Sequence, residues 1–326
     1  MRHKTFELIL YFNFIQLEYN NITMRNIYLI CGKGGVGKTT CATSVAIALS
    51  NKGIKTLLLS TDFTPAIGDI LNKKIGPDFV EINENLTAIE FDRNIITNRW
   101  IKKFGPDFYE ILSNIINLKE VDKTSKHSLL EYIGSAPSLK EETMLDYIIE
   151  IAKKGIYKKI IWDSAPAGET LNLLNMPQLL KKHLKSGAKI YENIDKLKKK
   201  IAGKKSITAI INEWINLSDM IYSYLKINAA FILVSNPEKI VTNRTIEILK
   251  SLLDYKIYIQ GLVINKINRE NQIQQYINEQ NKYVSILNKI LANKPTAEVF
   301  FDYKTLSSYD KLCNIGDKLI DTLKIE

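Results

Sequence analysis

Eight residues, Gly32-Lys33-Gly34-Gly35-Val36-Gly37-Lys38-Thr39, fit the spacing G-x-x-x-x-G-K-[ST], and Thr40 follows them. Glycines at these places let backbone N–H groups converge on phosphate oxygens, forming an anion nest at a helix N-terminus. Lys38 is placed to reach β- and γ-phosphates, and the Thr39 hydroxyl is a hard oxygen ligand suited to Mg²⁺. A Gly-rich turn without a ligand would have the same composition. The flanks favour the phosphate reading: an apolar run, Ile27-Tyr28-Leu29-Ile30, precedes the loop, and Val45, Ala46, Ala48 and Leu49 follow at helical spacing.

Two further apolar runs close on aspartate, at Asp62 after 55–61 and at Asp163 after 159–162. In a parallel sheet, ligands sit beyond the carboxyl ends of the strands, so both carboxylates are expected near the phosphates. One could orient or deprotonate an attacking water, and the other could hold Mg²⁺ through water. Thr39, Asp62 and Asp163 are therefore the metal candidates. Spacing does not divide the roles, and an aspartate at a strand end also serves as a helix cap.

The elements that must position these groups are continuous apolar strands alternating with helices. That pattern predicts an α/β fold, a doubly wound and mostly parallel sheet buried on both faces. The chain has 326 residues, 45% hydrophobic and 25% charged. These proportions exclude a disordered chain, a collagen-like fibre and a disulfide-stapled mini-protein. At about 150 residues per domain the length allows roughly two units. The net charge of +10 admits phosphate ligands, nucleic acid or acidic membrane as partners. Cys31, Cys41 and Cys313 are too scattered for a disulfide framework and suit a reducing, cytoplasmic setting. Residues 1–23 read as a leader, poorly ordered or upstream of a true start at Met24. No uninterrupted apolar stretch of about 20 residues occurs. The 306–323 stretch is apolar at helical spacing and is expected to pack on the core.

The run K-G-G-V-G-K-T-T, with its early Lys33, resembles the deviant phosphate loop of the ArsA, MinD, ParA and nitrogenase iron-protein class of ATPases. Asp163-Ser164-Ala165-Pro166-Ala167-Gly168-Glu169-Thr170-Leu171, with Leu174 and Pro177, resembles the second switch of the arsenical-pump (ArsA) family and its tail-anchored-protein targeting relatives. Ser60-Thr61-Asp62 followed by Asp69 resembles that family's first switch. The resemblance implies a P-loop ATPase with a small helical subdomain, ATP and Mg²⁺ as ligands, and a homodimer in which Lys33 reaches the partner's nucleotide. It further implies that Asp62 positions the hydrolytic water and Asp163 lies behind the Mg²⁺. Lys33, Lys38 and Asp62 are the catalytic candidates. Nucleotide contacts are expected from Gly32 through Thr40, from Asn265 and Lys266 in the G-x-V-x-N-[RK] segment, and from Pro295 at the start of a loop over the base. Two departures stand out: Phe63-Thr64-Pro65-Ala66 replaces P-A-H-N, and Glu169 replaces a histidine, so rates are not carried over. The similarity runs from about Met24 to the end of the sequence, leaving 24–326 as one ATPase unit.

Two stretches between these blocks are apolar on one helical face. One holds Trp100, Ile101, Phe104, Phe108, Ile111, Leu112, Ile115 and Ile116, with a break expected at Gly105-Pro106. The other holds Ile207, Ile210, Ile211, Trp214, Ile215, Ile221 and Leu225. By resemblance, about 94–130 and 178–227 build the helical subdomain and form a groove for a hydrophobic tail-anchored client, with a membrane receptor as a further partner. Read from residues alone, the two faces simply pack on each other. The lysine-rich stretch 181–205 is a solvated face or a patch for acidic lipid or an acidic receptor. No nucleic-acid motif accompanies it. An arsenite or antimonite pump ATPase has the same fold, but the absence of a visible cysteine triad disfavours it. No CxxC offers a zinc clamp. The deviant loop and the basic charge also admit a ParA-like partition ATPase or a MinD-like membrane-surface ATPase.

Overall fold

The computed structural model describes residues 25–62, 64, 66–115, 137–165, 179, 181–182, 185, 207–269, 273–291, 293–301 and 308–325. The expectations for 1–23, 166–177 (with Glu169), most of 181–205, and 302–307 lie outside these residues. The chain divides into two compact units. The first comprises Met1–Phe91, Ala152–Leu171 and Lys226–Glu326; the second comprises Asp92–Ile151 and Asn172–Leu225.

The first unit is an eight-stranded sheet: β1 (Ile27–Gly32), β2 (Thr56–Ser60), β3 (Val80–Asn83), β4 (Leu86–Glu90), β5 (Lys159–Asp163), β6 (Ala229–Ser235), β7 (Ile259–Ile267) and β8 (Thr296–Phe300). Their spatial order is β3-β4-β2-β5-β1-β6-β7-β8. Every neighbouring pair is parallel except β3 with β4. The expected mostly parallel α/β sheet is thus the fold. β1, β2, β5 and β6 are buried at every position, as their unbroken apolar runs require when both sheet faces are covered. β1 lies between β5 and β6, where the strand order turns back on itself and a crevice opens at the carboxyl ends.

Among the described residues five helices start within this unit: α1 (Lys38–Asn51), α2 (Ile67–Leu71), then, after the second unit's helices, α6 (Lys239–Asp254), α7 (Gln274–Ile290) and α8 (Tyr309–Leu323). α8 packs on α1 through Leu312, Leu319, Ile320 and Leu323 against Val45 and Ala48, as the 306–323 pattern predicted for its described part. The approach is close because position 316 is glycine: a Cβ there would stand 2.0 Å from the Ser44 carbonyl oxygen.

The second unit is built on α3 (Arg93–Ile115), α4 (Pro137–Lys153) and α5 (Ile207–Asn228). The break expected at Gly105-Pro106 does not occur, and α3 runs through Pro106. Proline removes one backbone hydrogen bond there. Aromatic packing on both sides of the proline outweighs the loss. Trp100 meets Phe108 edge-on at 5.8 Å, and Phe104 and Phe108 contact Trp214 of α5 at 6.1 and 6.3 Å. Among the described residues the aromatic side chains of the two faces thus pack against each other. Within the same unit Lys103 pairs with Asp146 and Glu150, and Lys181 with Asp219. No helix of the described residues is long and apolar enough to cross a membrane.

Candidate functional site

The loop between β1 and α1 is shaped by three glycines with different reasons. At Gly32 a Cβ would meet the Val234 carbonyl oxygen of β6 at 2.3 Å, so the strand pairing itself demands glycine. Gly35 and Gly37 have φ of 80° and 95°, a region that L side chains rarely adopt. Gly37 caps α1, whose first turn contains no acidic residue. The first N–H groups of that turn, on Lys38, Thr39 and Thr40, lack intrahelical acceptors and carry the positive end of the helix dipole. The loop expected to bind phosphate thus has two positive-φ glycines and a helix N-terminus free of acidic residues, a shape compatible with an anion nest.

Two lysines border it in contrasting ways. Lys38 is buried, and its ammonium donates to the Lys33 carbonyl oxygen at 3.5 Å, which holds it across the loop. Lys33 is half-exposed, and its ammonium makes no hydrogen bond or ion pair with the described residues. Gly34 and Gly35 beside it are exposed.

Three neighbouring strands end at one level: Asp163 of β5 and Glu90 of β4 both lie opposite Ser60 of β2. Residues level on neighbouring strands share a sheet face. Asp163 is 1% exposed. Its Oδ2 accepts from the Thr39 hydroxyl at 2.9 Å and the Ser60 hydroxyl at 3.2 Å. Its Oδ1 is buried without a partner. Burial pushes this carboxyl up to about 6; the Thr39 hydroxyl, Lys38 and the Ser60 hydroxyl pull it down, and Asp62 raises it. The structure thus brings together Asp163 and Thr39, two of the three metal candidates. An orphaned carboxylate oxygen beside a threonine hydroxyl is a donor set of hard oxygens that fits Mg²⁺.

Asp62 lies just beyond Ser60. Its backbone N–H donates to Ser60 Oγ at 3.2 Å, and its Oδ1 accepts from the Thr64 N–H at 3.1 Å. Its Oδ2 has no partner among the described residues, so one carboxylate oxygen is free for a water. The Thr61 hydroxyl before it accepts from Trp162 Nε1 at 2.9 Å, fixing the strand end. Ser60 joins the two acids through one hydroxyl, a role that its place in the first-switch motif did not reveal. Glu90 is absent from the sequence-predicted site. Its signal was available: 86–89 is a third apolar run closing on a carboxylate.

Asn265 and Lys266 reach the loop from the carboxyl end of β7. Asn265 Nδ2 donates to the Val36 carbonyl at 2.8 Å, and its Oδ1 accepts from the Lys266 N–H at 2.9 Å. One amide N–H and one oxygen lone pair remain, still a donor and an acceptor together. Lys266 sits at φ 58° and donates its ammonium to the Gly35 carbonyl at 2.7 Å. Both residues thus brace the loop.

Pro295 is a correction. Thr296 begins strand β8 level with Leu262, and the Pro295 carbonyl accepts from the Leu262 N–H at 3.1 Å. Parallel pairing places Pro295 at the amino end of its strand, away from Asn265 and the crevice. The stretch after it is strand as far as Phe300, so the loop over the base expected from Pro295 onward does not begin there.

Cys31 and Cys41 are buried small residues of the core, and burial pushes both thiols up to about 12. Cys313 lies apart on α8, half-buried, with Asn51 Nδ2 3.5 Å from its sulfur.

Comparison with known proteins follows the same site. The sequence pattern of the family described as Anion-transporting ATPase (ArsA) matches residues 24–321. A protein of Aquifex aeolicus named as an arsenical pump-driving ATPase is 28% identical over 306 residues, covering 88% of this chain and 96% of that one. ATPase ASNA1 homolog 1 of Paramecium tetraurelia is 30% identical over 262 residues, 76% of each chain. ATPase GET3 of Phaeosphaeria nodorum is 26% identical over 267 residues, 75% of this chain and 77% of that one.

Proposed function

Because this chain belongs to the ArsA family of ATPases and binds and hydrolyses ATP, we propose that it works as a homodimer closed by ATP, whose cycle drives the handling of a hydrophobic membrane-protein client. The observation that carries the dimer is the contrast between the two loop lysines. Lys38 is buried and tied across its own loop, whereas Lys33 is half-exposed with no partner among the described residues. A lysine so presented is suited to the nucleotide of a second copy.

The chemistry then runs as follows. The first-turn N–H groups of α1 and Lys38 hold the β- and γ-phosphates. Asp62 orients a water, whose oxygen attacks the γ-phosphorus as the bond to the bridging oxygen of ADP breaks. The partner subunit's Lys33 and Lys38 offset the charge that spreads over the phosphoryl group and the leaving oxygen. Products are ADP, phosphate and a proton. Thr39 and Asp163 would hold Mg²⁺, which would supply charge neutralisation on the phosphates. Asn265 and Lys266 keep the loop in shape, and the remaining donor and acceptor of Asn265 suit the adenine edge. Loss of γ-phosphate contacts on hydrolysis releases the segments after Asp62 and Asp163.

The helical unit, residues 92–151 and 172–225, is the part that handles the client, at a membrane surface that carries a receptor. The cysteines favour an apolar client over a metalloid. Capture of a soft metalloid needs convergent, ionised thiolates. Here two thiols are buried with their pKa near 12 and the third stands apart.

ATP turnover in Lys33→Ala and Asp62→Asn tests the mechanism: both should fall at least about a hundredfold, and normal rates in both would overturn it. Capture by the Asp62→Asn protein with ATP tests the client. Recovery of proteins with a single C-terminal membrane span supports the reading. Their absence, together with turnover stimulated by arsenite or antimonite, would replace it with metalloid transport.

A further inference from the structure

Glu90 is 5% exposed, at the end of β4 and level with Ser60. Its Oε1 accepts three successive backbone N–H groups, of Ala66 at 3.0 Å, Ile67 at 2.7 Å and Gly68 at 3.4 Å. These are the opening residues of α2, a five-residue helix with no cap from its own N-terminal side chain. A helix this short does not hold itself together. The carboxylate of a neighbouring strand does the capping instead, and charge-assisted hydrogen bonds are strong enough to justify its burial. The strand end is fixed in turn: the Glu90 N–H donates to the Gly76 carbonyl at 2.9 Å, and the Phe91 N–H to the Ser60 carbonyl at 3.0 Å.

Asp62 and Ala66, four positions apart in the chain, are therefore each anchored to one of two adjacent strands. Ser60 Oγ holds the Asp62 N–H at one end, and Glu90 holds the Ala66 N–H at the other. The Asp62 carboxylate belongs to this short span, and so its reach depends on both. We propose that Glu90 is a positioning residue for ATP hydrolysis, setting the carboxylate of Asp62 by fixing the far end of the segment that carries it. This rests on the reading that Asp62 orients the attacking water. Glu90 Oε1 is engaged with the three backbone N–H groups. Its effect passes through the backbone of 62–68, and a small shift in such a group is sufficient to lose rate.

The test compares wild type, Glu90→Ala, Glu90→Gln and Asp62→Asn in steady-state phosphate release, in affinity for a fluorescent ATP analogue, and in thermal unfolding. Glu90→Ala removes the acceptor, and kcat should fall at least about tenfold while analogue affinity stays within about twofold, because the phosphate loop is untouched. Glu90→Gln keeps an oxygen acceptor without the charge and should restore most of kcat, to within about threefold of wild type. A kcat for Glu90→Ala within about twofold of wild type overturns the proposal, as does a parallel loss of kcat and affinity in both variants. Should Glu90→Ala fail to fold, Glu90→Asp decides, because its shorter side chain draws the carboxylate back from the three N–H groups: a kcat reduced at least about fivefold at unchanged affinity supports positioning, and a kcat within about twofold of wild type overturns it. Asp62→Asn separates the two ideas. If it turns over normally, the reading of Asp62 has failed; if it is inactive while Glu90→Ala is normal, only the role of Glu90 has failed.

Discussion

Two carboxyl groups are buried almost equally, one at the sheet's carboxyl edge and one in the helical unit. Asp163 is 1% exposed and Glu142, on α4, 4%. Burial raises both, to about 6 and about 7. Their surroundings differ. Asp163 has two hydroxyl donors and Lys38 drawing it down. Glu142 has one donor, the Ser218 hydroxyl at 2.8 Å, while the neighbouring Asp146 pushes it further up. Glu142 Oε2 is buried without a partner, and the residue lines a cleft together with Trp100, Phe104 and Trp214. Burial alone thus does not mark a functional acid. A carboxyl kept ready to ionise is recognised by the donors built around it; one left with few donors is pushed further toward its protonated form.

The comparison can be broken most severely at Asp163. Asp163→Asn should lower ATP turnover by about 10²–10³-fold, with the thermal midpoint unchanged or slightly raised, as phosphate release and calorimetry would report. Near-normal turnover would place Asp163 with Glu142 as a packing residue. Next in size is Glu142→Gln, read as stability against pH. The folded state raises this carboxyl from 4.5 to about 7. The folded form therefore binds the proton more tightly than the unfolded form. Its contribution is fully present below about pH 4.5 and is lost as pH rises to about 7. That shift is worth about 3 kcal/mol. Glu142→Gln should remove the slope across this window and be the more stable protein at pH 8, with turnover unchanged; parallel curves for the two proteins would remove the contrast. The smallest effect is expected for Ser60→Ala. It deletes one donor to Asp163 and the acceptor of the Asp62 N–H, at about 1–2 kcal/mol. Turnover should fall about fivefold to tenfold, with its alkaline-going activation shifted to higher pH because a group that lowers Asp163 is gone. An unshifted profile would mean that Thr39 and Lys38 alone set that carboxyl.

The parts legible in the sequence were those in which backbone geometry and residue type are inseparable. Gly32, Gly35 and Gly37 are demanded by a carbonyl contact and by positive φ, so the loop could be read from its letters. Asp62 and Asp163 were legible because an apolar run closing on an acid is unusual in a buried strand. Glu90 carries the same signature and was missed because no nucleotide motif surrounds it. Pro295 was misplaced because the register of β8 on β7 is a tertiary fact, invisible in a single edge strand of mixed burial. Pro106 misled in the opposite direction: a local helix breaker was overridden by the packing of Trp100, Phe104 and Phe108 against each other and Trp214. The strand order likewise depends on contacts between segments far apart in the chain.

The closeness of α8 to α1 has a consequence for the order of events during synthesis. α1 carries the anion nest on its first turn, and much of its apolar face is covered by residues near the other end of the sequence, with Gly316 against the backbone of Ser44. A growing chain translates Gly32 through Thr39 early but cannot bury α1 until residues 309–323 have left the ribosome. The loop motif is made well before α8, the helix that clasps its own. Nucleotide competence therefore waits for α8, and until then the face of α1 that α8 covers is exposed to whatever meets nascent chains.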